Sequence, residues 1–142
     1  MISLVCDLDS LPRLFPLNVS EYKHHLRETT LREVEEFNKE IKWDGMWDSH
    51  EMDRRLDSGE WDFYILLSDN NTIGWVWYEQ STFTLKNLYV NIAHRNKGNG
   101  KALIASVMWK NYARLVPKIY TKVDDWNTGS LQAFFALNWK VY

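Results

Sequence analysis

The segment 83–123 constrains the fold more than any other part of the chain, because a β run, a glycine-containing loop, an apolar helix and a second β run follow one another in it. Residues 83–90 and 119–123 have the composition of strands. The helix between them ends before Pro117 and is marked by closely spaced apolar residues: Ala102, Leu103, Ala105, Val107, Met108 and Trp109. Two strands joined through a helix predict a parallel βαβ crossover.

The loop that leads into this helix has the chemistry of an anion site. Gly98 and Gly100 stand one residue apart, which permits a tight turn and a close approach of a ligand to main-chain N–H groups. A helix N-terminus adds unpaired donors and the positive end of the helix dipole. Arg95, Lys97 and Lys101 contribute positive charge. The segment therefore predicts a site for a phosphate or diphosphate.

Two common phosphate loops do not fit these residues. A Walker A loop requires glycine where Arg95 stands and Ser or Thr where Ala102 stands, and a dinucleotide-binding fingerprint requires a third glycine where Leu103 stands. A plain glycine-rich turn remains an alternative.

Length and composition indicate one globular domain over residues 1–142. The chain has 45% hydrophobic and 25% charged residues, which is ordinary for a folded protein. Cys6 is the only cysteine, so no internal disulfide can form and a reducing, cytoplasmic location is expected. No apolar run is long enough to span a membrane, and the first residues lack the basic region of a signal peptide.

Charge is divided unevenly along the chain. Residues 28–62 hold twelve acids against five bases, and residues 63–142 hold four acids against nine bases. The basic part could bind a polyanion such as a nucleotide, and the acidic part could bind a cation. A solvated helical surface explains the acidic part equally well, and no basic run is long enough to indicate nucleic-acid binding.

The remaining pattern predicts a mixed α/β sheet with an antiparallel N-terminal meander, a βαβ C-terminal half and helices on both faces. Ser20 is a candidate N-cap for a short helix through Leu26, and a further helix is expected to reach about Lys42. The other elements are a first strand at 2–7, a helix at 49–56, strands at 61–67 and 72–79, a helix at 127–137 and a strand stub at 139–142.

Two blocks of this pattern resemble the GCN5-related N-acetyltransferase (GNAT) superfamily. The first is the strand, the Arg95-x-x-Gly98-x-Gly100 loop and the helix; the second is the strand 119–123 followed by a helix that opens with Asn127. The resemblance implies that acetyl-CoA is the cosubstrate and that its pantetheine arm lies along 88–90, contacting Leu88 and Val90, in a gap where this strand splays from the next. It also implies that the diphosphate lies on the amides of the loop: Arg95, Asn96, Lys97, Gly98, Asn99, Gly100 and Lys101.

The later block implies two more cofactor contacts, Asn127 on the pantetheine and Ser130 beside it. Asn127 also suits a helix N-cap, and both roles can hold together. The sequence departs from the family pattern at Phe134, where the family usually has a Tyr that protonates the leaving thiolate, and at Asn138-Trp139 in place of Gly-Phe. Because the sequence stops at Tyr142, the final strand is expected to be missing or supplied by another chain, which suggests a homodimer that completes the sheet edge.

Acetyl transfer also requires an acid, a base and an acceptor site. Glu79 is a candidate base, as are Glu36 and Asp44. Tyr89 and Tyr120 are candidate acids on the two splaying strands, and a main-chain N–H near Val90 is the expected oxyanion donor. Carboxylates and indole faces suit a cationic amine, and the candidate acceptor contacts are Glu36, Trp43, Asp44 and Trp47.

The predicted function is acetyl-CoA-dependent transfer of an acetyl group to a primary amine by direct attack, the amine belonging to a small polyamine-like molecule, a peptide or a protein. The histidines and the single cysteine show no metal-ligand spacing, so no metal is expected. Two alternatives remain: a non-catalytic CoA-binding module, suggested by Phe134, and a small nucleotide-binding protein, suggested by the loop alone.

Overall fold

A computed structural model describes residues 1–10, 25–28, 49–68 and 71–142. They form one seven-stranded sheet with the strand order β2-β3-β4-β5-β6-β1-β7. Short 3-10 turns cover Leu8–Ser10 and Ile92–His94. The helices and strands are β1 (Ile2–Asp7), β2 (His25–Glu28), α1 (Ser49–Asp57), β3 (Trp61–Ser68), β4 (Asn71–Glu79), β5 (Thr84–Val90), α2 (Asn99–Ala113), β6 (Lys118–Val123), α3 (Thr128–Ala136) and β7 (Lys140–Val141).

The sheet is mixed, as predicted. Strands β2 to β5 form an antiparallel meander. Strands β5 and β6 are parallel, and α2 connects them across one face of the sheet. The predicted strands, the helix at 49–56 and the helices on either side of β6 are confirmed, with differences of one or two residues at their ends.

Alternate side chains of the strands supply two separate cores. On one face, Met52 of α1 packs with Phe63, Ile65, Trp75 and Trp77. On the opposite face, α2 and α3 cover a larger core, whose members include Leu66, Val76, Leu103, Met108 and Phe134. Helices therefore lie on both faces of the sheet, as predicted.

An ion pair fixes the C-terminal end of α2 to the sheet. Arg114 forms two hydrogen bonds with the buried carboxylate of Asp62 in β3, and Gln80 donates a third at 3.0 Å. The hydrogen bond to the Asp62 carboxylate is the first cause of a raised pKa for Arg114, so the guanidinium stays charged at any physiological pH. With its C-terminal end held, α2 has a fixed axis relative to the strands.

The predicted helix after Ser20 is wrong where the structure describes it. His25–Glu28 is a strand that pairs antiparallel with β3, in the register His25↔Leu67 to Glu28↔Tyr64. The free edge of β3 supplies main-chain partners for these residues, and this non-local pairing outweighs a weak helical pattern that rested on two apolar residues. The predicted helix that reaches Lys42 lies outside the described residues.

The strand stub expected at 139–142 is present as β7 (Lys140–Val141), at one edge of the sheet. Strand β1 lies beside β6 and pairs with it antiparallel over all six of its residues. Strand β7 then adds to β1 through the pairs Leu4↔Val141 and Val5↔Lys140. The strands β1 and β7 thus lie together on this side of the sheet, and a homodimer that completes its edge remains a prediction.

Candidate active site

The two edges of β5 are used differently. On one edge, β5 pairs with β4 at five positions, from Gly74↔Val90 to Glu79↔Thr84. On the other edge, its only pair with β6 is Thr84↔Tyr120. The two parallel strands therefore meet at the start of β5 and separate towards its end, which leaves a gap between them.

A β-bulge accompanies this separation. Trp75 pairs with Tyr89 and Trp77 pairs with Lys86, so β5 has one more residue than β4 between the two pairs. Asn87 lies in the extra segment with φ +59°, a left-handed conformation that Asn tolerates better than most residues. Bulges bend a strand and increase its twist, and this one lies where β5 leaves β6.

Gly74 holds the end of β5 against β4. A Cβ atom at this position would lie 2.7 Å from the Tyr89 carbonyl oxygen and 3.1 Å from Leu103 Cδ1, so only glycine allows this approach. The Asn91 amide also donates to the Ile73 carbonyl oxygen at 2.7 Å. Tyr89 and Asn91 thus direct main-chain groups at β4. Because these groups alternate in direction along a strand, Leu88 and Val90 present theirs to the gap.

The loop after β5 turns back on the strand through specific contacts. Arg95 Nε donates to the Val90 carbonyl oxygen at 2.8 Å. The Asn99 side chain is buried, and its Nδ2 donates to the His94 carbonyl oxygen at 2.8 Å. Asn96 and Gly98 both have positive φ, +61° and +83°. Two left-handed residues in this loop turn the chain tightly into α2.

The N-terminus of α2 is open to an anion. Gly98 is the N-cap and supplies no side chain to the first turn, and no acidic residue lies in that turn. The first bond of the helix runs from the Ala102 amide to the Gly98 carbonyl oxygen, so the amides of residues 99–101 have no acceptor within the helix. Unpaired amides, the helix dipole and the basic side chains of Arg95 and Lys101 together favour a phosphate group.

The segment after β6 forms the opposite wall. Asn127 is the N-cap of α3, and its Oδ1 accepts a hydrogen bond from the Ser130 amide at 3.3 Å. The capping role predicted for Asn127 is confirmed. Its contact with a pantetheine remains a prediction.

These elements enclose a cleft of about 760 Å³. Its walls are the end of β5, the loop into α2, and α3 with the turn before it. The residues that line it are Leu88, Tyr89, Val90, Arg95, Asn96, Gly98, Asn99, Gly100, Lys101, Trp126, Asn127, Thr128, Gly129, Ser130, Gln132, Ala133 and Ala136.

Every residue predicted from the sequence to bind the cofactor lines this cleft except Lys97. Of the candidate catalytic residues, Tyr89 lines it, whereas Glu79 and Tyr120 do not. Tyr120 lies where β5 and β6 meet, and its amide donates to the Phe83 carbonyl oxygen at 2.8 Å. The candidate acceptor residues Glu36, Trp43, Asp44 and Trp47 lie outside the described residues.

Glu79 has the environment of a structural carboxylate. It accepts hydrogen bonds from Thr82 Oγ1 and from Lys86 Nζ at 3.2 Å. The Thr82 hydroxyl, with a further contribution from Lys86, holds the pKa of Glu79 below its ordinary value. A carboxylate stabilised in its charged form accepts a proton weakly, so these contacts argue against Glu79 as the general base.

Two aromatic residues differ in their relation to the cleft. Tyr89 stacks on Trp75 with ring centroids 4.3 Å apart, and the Arg95 guanidinium lies 5.6 Å from the Tyr89 ring centroid. Phe134, at the position of the family's usual Tyr, is buried and packs edge-on against Trp139 at 4.9 Å. Tyr89 therefore lines the cleft with its ring stacked on Trp75, and Phe134 belongs to the core.

Several residues of the wall formed by α3 and the turn before it were not predicted from the sequence: Trp126, Thr128, Gly129, Gln132, Ala133 and Ala136. Gly129, Ala133 and Ala136 are small residues at helical spacing, which allows a ligand to approach the helix backbone. That spacing was a usable signal. Trp126 gave none, because a sequence does not show which of eight tryptophans is exposed.

Comparison with known proteins supports the same family. A sequence model described as "Acetyltransferase (GNAT) family" matches residues 21–138, so β1 and β7 lie outside the match. A comparison with curated protein sequences found no match.

Solved structures share the fold at low identity. A Drosophila protein has a TM-score of 0.75 at 11% identity over 99% of this chain, which spans 47% of that chain. AAC(6')-Iy in complex with the bisubstrate analog CoA-S-monomethyl-acetylneamine has a TM-score of 0.69 at 18% identity over 81% of this chain and 89% of that chain. A ribosomal-protein-alanine N-acetyltransferase from Brucella melitensis biovar Abortus 2308 has a TM-score of 0.63 at 20% identity over 84% of this chain and 96% of that chain.

The predicted family rested on the glycine loop and on the helix that opens with Asn127, and both segments fall within the 118 residues from 21 to 138 that match. The fold agrees with that match in its mixed sheet and its separating parallel strands. The chain belongs to the acetyltransferase (GNAT) family.

Proposed function

We propose that the protein is an acetyl-CoA-dependent N-acetyltransferase that moves an acetyl group to a primary amine by direct attack. The observation that carries this proposal is the junction of two features in one cleft: the uncapped N-terminus of α2 and the open edge of β5 at Leu88 and Val90. The first suits a diphosphate. The second offers main-chain groups to an extended amide-containing chain, in the manner of an added strand.

The proposed step transfers one acetyl group with all protons accounted for. A neutral amine attacks the thioester carbonyl, a C–N bond forms, the C–S bond breaks and the CoA thiolate leaves. The amine loses one proton to a base, and the thiolate gains one from an acid. The Val90 N–H, on the open side of β5, is the proposed donor to the oxyanion.

Tyr89 is the proposed acid. It lines the cleft, whereas Phe134 has no proton to give and lies in the core. Glu36 and Asp44 remain proposals for the base. A Tyr89→Phe variant should bind acetyl-CoA as the wild type does and lose about 100- to 10,000-fold in kcat, the range of a general acid. An unchanged kcat would reject Tyr89 as the acid.

The acceptor class follows from chemistry and from the neighbours. The acidic segment 28–62 suits a cationic amine. Structural neighbours include proteins described as an aminoglycoside acetyltransferase and a ribosomal-protein-alanine N-acetyltransferase. An amine panel should therefore contain a polyamine, an aminoglycoside, a peptide with a free N-terminus and a lysine peptide, with thiol release and mass shift as readouts.

Gly98 gives the binding test. A Gly98→Val variant places a side chain in front of the helix N-terminus, where a Cβ atom would meet nothing in the structure, so we expect acetyl-CoA affinity to fall by at least about 30-fold. Gly59→Val is the matched control, because Gly59 has a similar φ of +70° and equally open surroundings but lies away from the cleft.

Both variants should lose similar stability, about 1–2 kcal/mol from the left-handed backbone, and only Gly98→Val should lose the ligand. Normal acetyl-CoA affinity in Gly98→Val would reject the loop assignment.

A non-catalytic CoA-binding module is the second candidate, favoured by the burial of Phe134 at the usual position of the acid. Tight acetyl-CoA binding without thiol release on any amine of the panel would support it over the enzyme.

A further inference from the structure

Trp126 is a large apolar side chain exposed at a polar site. It lies between β6 and α3, it lines the cleft, and 77% of it is exposed. By contrast, Trp75, Trp77 and Trp139 are buried in the cores. An indole left in water beside a ligand cleft forgoes the gain that burial would bring, which points to a ligand surface that covers it.

Trp126 differs from the other aromatic side chain of the cleft. Tyr89 already stacks on Trp75 and lies beside the Arg95 guanidinium. For Trp126, the described part of the chain supplies no stacked ring and no cation over the indole. Its faces are therefore accessible to a flat ligand group.

The backbone around Trp126 is fixed in a tight turn. The Asn127 amide donates to the Asp124 carbonyl oxygen at 2.9 Å, and the Thr128 amide donates to the Trp126 carbonyl oxygen at 3.0 Å. The Asn127 cap then joins this turn to α3. The indole is thus presented by an ordered segment, which lowers the entropic cost of stacking a ligand on it.

The position of Trp126 indicates which part of a bound acetyl-CoA would contact its indole. Parallel strands end at the same edge of the sheet, so the loop after β5 and the turn after β6 lie at one rim of the cleft. In the proposed complex the thioester lies between the strands and the diphosphate on the N-terminus of α2. The adenosine lies beyond the diphosphate, away from the strands, and so reaches this rim.

We propose that Trp126 is the stacking platform for the adenine of bound acetyl-CoA. This inference rests on the proposed function, since it requires the coenzyme in the cleft. Adenine offers a flat π-face, and a purine on an indole is a strong stacking pair. Trp126 would then confer preference for the complete coenzyme over acetylated phosphopantetheine, which has the same reactive end without the nucleotide.

The test compares two ligands on three proteins by calorimetry. Wild type, Trp126→Ala and Phe135→Ala are titrated with acetyl-CoA and with acetyl-4′-phosphopantetheine. Phe135 is the control because it is 47% exposed on α3 but does not line the cleft. We expect Trp126→Ala to weaken acetyl-CoA binding by about 5- to 30-fold, to leave acetyl-4′-phosphopantetheine binding within about twofold, and so to reduce the preference for acetyl-CoA. Phe135→Ala should change neither.

Fluorescence supplies an independent readout. Acetyl-CoA should quench part of the wild-type indole emission, and this part should be missing in Trp126→Phe, which retains a ring for stacking and should lose less affinity than Trp126→Ala. An equal loss for both ligands would place Trp126 on the pantetheine arm and overturn the proposal. An unchanged affinity ratio would also overturn it. If the wild type binds neither ligand, the proposed function itself fails, and that result precedes any variant.

Discussion

The two edges of β5 show how one strand serves stability and ligand binding at once. The β4 edge is paired along the strand and admits only glycine at position 74, whereas the β6 edge has one pair and then opens. The Val90 carbonyl oxygen accepts a hydrogen bond from Arg95, and the other main-chain groups of the open edge are those that the proposed acetyl-CoA would use. The cleft thus arises from backbone pairing, and side chains refine it.

The largest effect is expected on the paired edge. Gly74→Ala should lower the free energy of unfolding by about 1–3 kcal/mol, because its Cβ atom would lie 2.7 Å from the Tyr89 carbonyl oxygen and the strands must separate to admit it. Denaturant unfolding measures this. Gly129→Ala adds the same methyl group with nothing within 4 Å and should be neutral or stabilising. If Gly74→Ala and Gly129→Ala are equally stable, the close approach of β4 and β5 at position 74 does not require glycine.

The bulge comes next. Asn87→Val should lower the free energy of unfolding by about 1–2 kcal/mol, because a β-branched residue fits poorly at φ +59°. Its acetyl-CoA affinity should also fall, because regular pairing would turn Leu88 and Val90 away from the gap. Asn87→Gly tolerates the same φ and should bind acetyl-CoA as the wild type does. If both variants bind normally, the bulge does not shape the cleft.

A smaller effect is expected where the strands meet. The buried Thr121 Oγ1 donates to the Leu85 carbonyl oxygen at 2.9 Å, beside the single pair between β5 and β6. Thr121→Val leaves that carbonyl without this donor and should lower the free energy of unfolding by about 1 kcal/mol. Thr121→Ser keeps a hydroxyl donor and should retain most of this stability. Thermal unfolding of the two variants gives the comparison, and equal melting temperatures would contradict it.

The smallest effect on stability is expected on the open edge. Arg95→Gln removes the bond to the Val90 carbonyl oxygen in an exposed loop, so stability should change by less than about 0.5 kcal/mol. Acetyl-CoA affinity should fall several-fold, and more than in Lys97→Gln, which removes the same charge from a residue that does not line the cleft. If Arg95→Gln and Lys97→Gln lose the same acetyl-CoA affinity, Arg95 contributes only its positive charge to binding.

Local features of the sequence predicted the parts of the site that depend on local chemistry. The two glycines and the basic residues identified the loop at 95–101 because its conformation and charge depend on neighbouring residues. Asn127 was predicted as a cap for the same reason. The bulge at Asn87 was not predicted, since its register depends on pairing with β4.

Non-local strand pairing also explains where the fold predicted from the sequence differs from the observed one. The residues 25–28 form a strand because β3 offers an edge, and no pattern within them requires it. Strand β1 was correctly predicted as a strand. Its place beside β6 was not predicted, because the residues Ile2–Asp7 do not indicate which strand they pair with. Trp126 was missed because the exposure of a side chain depends on the complete fold.

The pairing of β1 with β6 joins the first residues of the chain to residues 118–123, and it places Leu4, Cys6 and Leu8 in the core. During synthesis, more than a hundred further residues must be added before the pairing partners of β1 in β6 leave the ribosome. Contacts so distant in sequence slow folding. Strand β1 therefore stays unpaired until residues 118–123 have been synthesised, and a chaperone that shields extended apolar segments would improve the yield of folded protein.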